Sequence, residues 1–351
     1  MVHTSPRRLR KPLLLLAGVL LLLLGCWFLR WYIIYGQYPV YRGQSGSTVI
    51  VYVDDGGPGR HLYAMQPDGS DPTRLTYHDP IGLFGLPIGA YFPDLVRNKI
   101  NGPGPDMYGI YYGSSYERDG FPLYYLPLNG QRFRQVPSLL EDHTNARIAP
   151  NGRFLAYRDR DGDLFLADIQ DGTRHCLSCT ADSARFRYSL PTWSMDSRKV
   201  AFSIYDRDQD SGHIHTYDLV TNHITRIPNQ PLVRFGDPAW SPDGTRLAVT
   251  GWMRVSLGRR EGIFLGAFLY VMHADGSHPR QITRGGSDFN AAWSPDGTQL
   301  VFEAFRNGRL NRLGTSATDI YRVNVDGTGE VRLVGGTGVD NYTSPTWVIV
   351  P

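Results

Sequence analysis

The sequence is poor in lysine and in cysteine. Its 351 residues include three lysines (Lys11, Lys99 and Lys199) and three cysteines. Residues 1–30 hold five basic and no acidic side chains, which leaves 31 basic against 33 acidic side chains in the remainder. A nucleic-acid surface would need a concentrated basic stripe, and because the remainder is close to neutral overall, we expect no nucleic-acid partner.

Several signatures of enzymes are also missing. The chain has no Gly-x-Ser-x-Gly nucleophile elbow, no glycine-rich phosphate-binding loop and no carboxylate pair singled out by its surroundings. These absences argue against the enzyme classes that such motifs mark. They leave open an enzyme of another kind, because many sites are assembled from residues far apart in sequence.

One hexapeptide, Trp-Ser-Pro-Asp-Gly-Thr, occurs at Trp240–Thr245 and again at Trp293–Thr298. Proline presets φ, aspartate tolerates the next turn position, and glycine accepts the left-handed conformation that closes the turn. Weaker copies begin at Trp193 and Ile148, and a last tryptophan strand, Thr346–Val350, lies at the end. A spacing of about fifty residues predicts an array of four-stranded units.

A second signal is a strand that ends in a turn of the Asp-Gly type. It occurs six times, at Asp68-Gly69, Asn129-Gly130, Asp171-Gly172, Thr221-Asn222, Asp275-Gly276 and Asp326-Gly327. The first unit (strands at Val49–Val53, His61–Gln66 and about Thr73–Tyr77) lacks a tryptophan strand, and Thr346–Val350 can supply it. The sequence therefore predicts an all-β fold over residues 47–351, a six-bladed β-propeller of four-stranded blades whose first blade is closed by the C-terminal strand.

The N-terminus predicts a membrane anchor. Four basic residues between Arg7 and Lys11 precede an apolar run from Leu13 to Leu29. We expect a cytoplasmic tail (1–11), a single transmembrane helix (12–35) and a linker (36–46), with the propeller outside the cytoplasm. Alternatively, Leu23-Leu24-Gly25-Cys26 resembles a lipoprotein box, which would place a lipid on Cys26. A cleaved signal would need a small-x-small site, and none follows convincingly.

The repeated motifs resemble those of the TolB-type propeller family. They are Trp-Ser-Pro-Asp-Gly followed by an apolar strand, a strand before Asp-Gly, and a third element at Thr73–Thr76 and Arg280–Thr283. The resemblance covers about residues 47–351 and implies protein binding in the bacterial envelope rather than catalysis. The family's periplasmic member has a separate N-terminal α/β domain, for which this chain has almost no room. Its partners therefore cannot be carried over.

Two segments have the spacing of metal or redox sites. Asp206, Asp208 and Asp210, and likewise the aspartates between Asp159 and Asp163, alternate as in calcium loops. Neither segment has the distal glutamate of an EF-hand, so we favour solvated turns and expect no cofactor, with calcium as the alternative. Cys176-x-x-Cys179 could be a redox pair or half a metal site, and we favour a structural disulfide.

The remaining candidates are arginines in the second hairpin loops of blades five and six: Arg254, Arg259, Arg260, Arg306, Arg309 and Arg312. Because the guanidinium group binds carboxylates and phosphates in bidentate fashion, these loops predict a face for an anionic envelope or membrane partner. Loops that merely keep the protein soluble are the alternative. We expect a membrane-tethered binding scaffold. The alternative is an extracytoplasmic hydrolase or lyase acting on glycans or peptides within the central channel.

Overall fold

The computed structural model describes residues 24–25, 44–54, 61–75, 99–103, 109–113, 123–127, 134–135, 144–159, 162–179, 186–189, 191–206, 211–228, 233–255, 263–306, 317–335 and 342–350. Leu24 and Gly25 are helical, and no helix among the described residues is long and apolar enough to span a bilayer. The predicted tail (1–11), transmembrane helix (12–35) and linker (36–46) lie almost wholly outside these ranges, so they remain predictions.

The described strands form an all-β β-propeller, and their pairing groups them into six antiparallel sheets. Sheet 1 consists of β1 (Thr48–Asp54), β2 (His61–Met65), β3 (Thr73–Arg74) and β25 (Tyr342–Ile349). Sheet 2 consists of β4 (Lys99–Pro103), β5 (Gly109–Gly113), β6 (Leu123–Pro127) and β7 (Arg134–Gln135). Sheet 3 consists of β8 (Thr144–Ile148), β9 (Phe154–Arg158), β10 (Leu164–Asp168) and β11 (Arg174–Cys176).

The second half of the chain repeats this plan. Sheet 4 consists of β12 (Phe186–Tyr188), β13 (Thr192–Trp193), β14 (Lys199–Asp206), β15 (Ser211–Asp218) and β16 (His223–Ile227). Sheet 5 consists of β17 (Val233–Trp240), β18 (Arg246–Val255), β19 (Ile263–His273) and β20 (Arg280–Gln281). Sheet 6 consists of β21 (Asp288–Trp293), β22 (Gln299–Ala304), β23 (Asp319–Asn324) and β24 (Val331–Val334).

The innermost strand of each sheet contacts the innermost strand of the next. The contacts run from β25 to β4, β8, β13, β17 and β21, and β21 returns to β25. The core lies between successive sheets. Ala201 and Ile214 of sheet 4, for example, belong to one buried cluster with Leu247 and Val249 of sheet 5. This packing buries the face that each sheet cannot cover alone.

The seam between the two ends of the chain is formed as the sequence predicts. β25 pairs with β1, with Ile50 opposite Trp347 and Val49 opposite Val348. The ladder continues beyond the strands, because Val350 N donates to the Ser47 carbonyl at 2.8 Å. Trp347 is fully buried at this seam. The C-terminal strand therefore completes the first sheet.

The hexapeptide forms the predicted tight turn. In the first copy the Ser241 hydroxyl donates to Asp243 Oδ1 (2.5 Å), Thr245 N donates to the same oxygen (3.0 Å), and Gly244 has φ of +68°. The second copy repeats these bonds, and the weaker copy in sheet 4 places Ser197 in the left-handed region at +59°. The turn is thus held by its own side chains, even where glycine is replaced.

The first and third turns of a sheet lie at the same end. Ala274 N, after β19, donates to the Thr245 carbonyl in the first turn of sheet 5 at 2.9 Å. Val325 N makes the equivalent bond to Thr298 in sheet 6, also at 2.9 Å. The second hairpins therefore lie at the opposite end of the sheets, which we call the long-loop face. We call the end that carries the first and third turns the short-turn face.

Candidate functional site

A bulge recurs on the innermost strands. In sheet 5, two residues of β17, Asp237 and Pro238, stand opposite one residue of β18, because Gly236 pairs with Thr250 and Ala239 with Ala248. The same two-against-one register occurs in sheets 1, 2, 3 and 6. The first residue of the bulge is short and polar in all five sheets: Asn101, Asn145, Asp237, Asn290 and Ser344.

Three of these residues adopt the left-handed backbone conformation. The φ angles are +46° at Asp237, +51° at Asn290 and +53° at Ser344. Asparagine and aspartate accept this region more readily than other non-glycine residues, and a bulge bends the strand and redirects a side chain. The same strained geometry repeated beside the central axis marks these strands as the candidate site.

Glu303 connects two of the bulges. Its side chain lies near the end of β22 and is largely buried. Oε1 accepts a bond from Asn290 Nδ2 at 3.1 Å and another from Ser344 N at 2.8 Å. One carboxylate therefore ties the innermost strand of sheet 6 to that of sheet 1, close to the long-loop face.

A second polar cluster lies at the same face of sheet 6. The Arg306 guanidinium group contacts Asp288 Oδ1 through Nε at 2.8 Å and through a terminal nitrogen at 2.7 Å. It also pairs with Glu330 and lies 4.6 Å from the centre of the Tyr321 ring. Asp288 is fully buried, and this burial raises the pKa of its carboxyl group, against the opposing effect of Arg306.

The arginines singled out by the sequence have different positions. Arg306 is only 13% exposed and is held by two carboxylates of its own sheet, so its binding capacity is used within the chain. Arg254 lies in β18, near the long-loop face. The other four candidates, Arg259, Arg260, Arg309 and Arg312, lie outside the described ranges.

The two aspartate segments with the spacing of calcium loops are described only in part. Asp206 ends β14 and is buried, while Asp208 and Asp210 lie outside the described ranges. In the other segment, Asp159 Oδ1 accepts a bond from Asp163 N at 2.8 Å, as in an ordinary turn. The part of the chain that the structure describes contains no group of three potential metal ligands.

The two cysteines of the Cys-x-x-Cys segment are joined by a disulfide, with 5.7 Å between their Cα atoms. Cys176 ends β11, the outermost strand of sheet 3, and Cys179 is exposed. Cys26, the lipidation site of the alternative anchor, lies outside the described residues.

The polar bulges were not among the candidates chosen from the sequence. A signal for them exists: Asp237, Asn290 and Ser344 each stand three residues before a tryptophan. That tryptophan ends or lies near the end of the innermost strand in sheets 5, 6 and 1, so the spacing fixes the position of the bulge. Recognising it requires the register of the first hairpin, which the repeat alone does not provide.

Comparison with known proteins agrees with this architecture. A sequence profile of the TolB beta propeller domain matches residues 170–349, just over half of the chain. The Tol-Pal system protein TolB from Francisella tularensis subsp. mediasiatica (strain FSC147) is 26% identical over 159 residues, which are 45% of this chain and 33% of that protein. The matched part therefore spans about a third of that relative's length.

Two solved structures share the fold. The crystal structure of TolB from Acinetobacter baumannii has a TM-score of 0.61 at 16% identity and covers 91% of this chain and 69% of that chain. The structure of a TolB candidate from Agrobacterium tumefaciens has a TM-score of 0.53 at 17% identity, and the match covers 88% of this chain and 100% of that chain. At these identities the likeness extends to the fold alone.

Proposed function

Because the chain belongs to the TolB β-propeller domain family, we propose that it is a protein-binding scaffold of the cell envelope. The N-terminal segment tethers it to the membrane, with a basic cytoplasmic tail, a single pass and the propeller outside the cytoplasm. The support for the tether is the charge pattern before the apolar run from Leu13 to Leu29. The support for binding is the site described above.

The repeated polar bulge carries the proposal. Five innermost strands carry a short polar residue at the same bulge position. Strain at Asp237, Asn290 and Ser344 costs free energy of about 1–3 kcal/mol each, and such strain persists where it serves a site. A partner that covers the axis can bond with several of these groups at once.

We further propose that the six sheets close as the blades of one ring. It is supported by the circuit of contacts between innermost strands and by the pairing of β25 with β1. A closed ring holds the polar bulges at fixed distances from one another, because each sheet is packed on both neighbours. This rigidity lowers the entropy that binding costs.

The arginine loops extend the proposed site. We include Arg254, Arg259, Arg260, Arg309 and Arg312 as contacts to an anionic partner surface, whereas Arg306 pairs with Asp288 and Glu330 of its own sheet. Long loops on a rigid scaffold are a usual place for recognition.

A triple variant tests the site. Asp237→Gly, Asn290→Gly and Ser344→Gly together remove the polar groups while glycine keeps the left-handed backbone. Some membrane proteins should co-purify with the wild-type chain after in-cell crosslinking. We expect the triple variant to capture at least tenfold less of them. The matched control replaces Asp71 and His278, which are also left-handed but lie in third turns on the short-turn face, by glycine. Equal capture by both variants would refute the site.

Orientation in the membrane has its own test. Gln44 is exposed and directly precedes the first sheet, so Gln44→Cys should react with a membrane-impermeant maleimide on intact cells. The unsubstituted chain reports any reaction at Cys26. If the introduced thiol is labelled only after lysis, the propeller lies inside the cytoplasm and the proposal is contradicted.

A further inference from the structure

The disulfide lies at the end of the outermost strand of sheet 3. The equivalent segment of sheet 5 has the same main-chain geometry and contains no cysteine. In sheet 3, Leu177 N donates to the Leu164 carbonyl at 2.8 Å, just beyond β11. In sheet 5, Ile282 N donates to the Leu269 carbonyl at 2.7 Å, just beyond β20. The main chain therefore continues its ladder in the same way with and without a disulfide.

The side-chain bonds of the two segments are equivalent too. Ser178 Oγ accepts a bond from Leu164 N at 2.7 Å, and Thr283 Oγ1 accepts one from Leu269 N at 2.9 Å. Cys176 pairs with Phe165 as Gln281 pairs with Tyr270. The two cysteines thus stand at the positions of Gln281 and Arg284. The geometry does not depend on the disulfide.

The bond is also accessible. Cys179 is exposed and Cys176 is half-buried, whereas Leu177 and Ser178 between them are buried. A disulfide that closes so short a loop removes little conformational entropy from the unfolded chain. After reduction, the Cys176 thiol would keep an acceptor, because its Sγ lies 3.7 Å from the Leu164 carbonyl oxygen.

We propose that Cys176 and Cys179 form a thiol–disulfide exchange site for a dithiol reductant. A reductant thiolate attacks Cys179 Sγ, which forms a mixed disulfide and releases Cys176 as a thiolate. The second thiol of the reductant, as a thiolate, then attacks the reductant's first sulfur, which is bonded to Cys179 in the mixed disulfide. This step releases Cys179 as a thiolate. The reductant leaves as a disulfide, and two electrons and two protons end on the cysteine pair.

Glutathione buffers test the exchange on the full-length chain. The reduced fraction of the cysteine pair is read by alkylation and peptide mass spectrometry. We expect this fraction to rise as the ratio of reduced to oxidised glutathione is raised across the range of the buffers. The reduced chain should keep its circular dichroism spectrum and its melting temperature within a few degrees. A disulfide that resists millimolar dithiothreitol in the folded chain, or that is reduced only as the fold melts, would overturn the proposal.

Single variants identify the sulfur that is attacked. In Cys176→Ser, the Cys179 thiol should form a mixed disulfide with oxidised glutathione at least tenfold faster than Cys176 does in Cys179→Ser. Equal rates would overturn the order of attack. The control, Cys176→Gln with Cys179→Arg, copies sheet 5 and should melt like the reduced chain. If a single variant fails to fold, the mixed disulfide trapped on the wild-type chain gives the same assignment by mass.

Discussion

The Trp293 indole N–H donates to the main-chain carbonyl oxygen of Ala239 at 3.0 Å. This bond joins the innermost strands of sheets 6 and 5, and Trp193 makes the equivalent bond to the Arg147 carbonyl between sheets 4 and 3, at 2.9 Å. In sheets 6 and 4, the tryptophan that ends the innermost strand thus fastens that strand to the preceding sheet, whereas the indole nitrogens of Trp240 and Trp347 have no hydrogen-bond partner among the described residues.

Replacing Trp293 by phenylalanine should therefore destabilise the fold beyond the change in packing. It removes the bond to Ala239 and weakens the contact with Arg246, whose guanidinium carbon lies 4.8 Å from the ring centre. We expect the lost bond to lower the free energy of unfolding by about 0.5–1.5 kcal/mol, measured by urea titration.

Trp240 provides the matched control. It is buried to nearly the same extent, but its indole nitrogen has no hydrogen-bond partner among the described residues. Trp240→Phe should cost clearly less than Trp293→Phe, because no bond is lost. Equal losses in the two variants would show that packing, rather than the inter-sheet bond, gives Trp293 its contribution.

Much of the fold could be predicted because its signals are local. A turn such as Ser241–Thr245 is held by bonds within five residues, so its sequence specifies its geometry almost alone. The seam could also be predicted, since a tryptophan strand without a partner at one end matched a missing strand at the other. The transmembrane helix, by contrast, remains a prediction.

The site was harder to predict because it depends on distant residues. Arg306 looks in sequence like the other loop arginines, yet its partners Asp288 and Glu330 lie 18 and 24 residues away. The bulge at Asn290 becomes visible only when its register against β22 is known. Composition and spacing pointed to the loop arginines and did not find the groups on the innermost strands.

The seam leads to a second prediction. Ending the chain at Asp340 removes β25, which pairs with β1 and contacts both β21 and β4. The fully buried Ile50 would then lose Trp347, its partner across the sheet. We expect a loss of several kcal/mol, comparable to the net stability of a domain. A truncated chain that melts at the wild-type temperature would contradict the role of β25.

Arg306 should be a structural residue. Arg306→Ser leaves Asp288 fully buried without its cation, and breaking such a pair costs about 3–5 kcal/mol. The double variant Asp288→Asn with Arg306→Met removes both charges and should be more stable than Arg306→Ser alone. Thermal unfolding of the two variants measures the difference. If the single variant is the more stable of the two, the buried pair does not hold this part of sheet 6.

Low pH should weaken the tight turns. The bond from the Ser241 hydroxyl, with that from Thr245 N, lowers the pKa of Asp243 below its ordinary 3.8. A folded pKa below the unfolded one means that the carboxylate stabilises the fold above the unfolded pKa. This stabilisation is lost as the pH falls through the folded pKa. Asp68, Asp275 and Asp326, whose pKa values are lowered by hydroxyl groups of their own turns, act in the same direction.

Two isosteric variants separate this effect from general acid unfolding. Asp243→Asn should flatten the decline of the urea midpoint from about pH 6 to about pH 3, because it removes one group with a lowered pKa. Asp288→Asn should make the same decline steeper. Burial raises the pKa of Asp288, so this carboxyl group stabilises the fold at low pH, and that stabilisation is lost as the pH rises through the folded pKa. If the two variants change the slope in the same direction, the turn carboxylates do not set the acid sensitivity of the propeller.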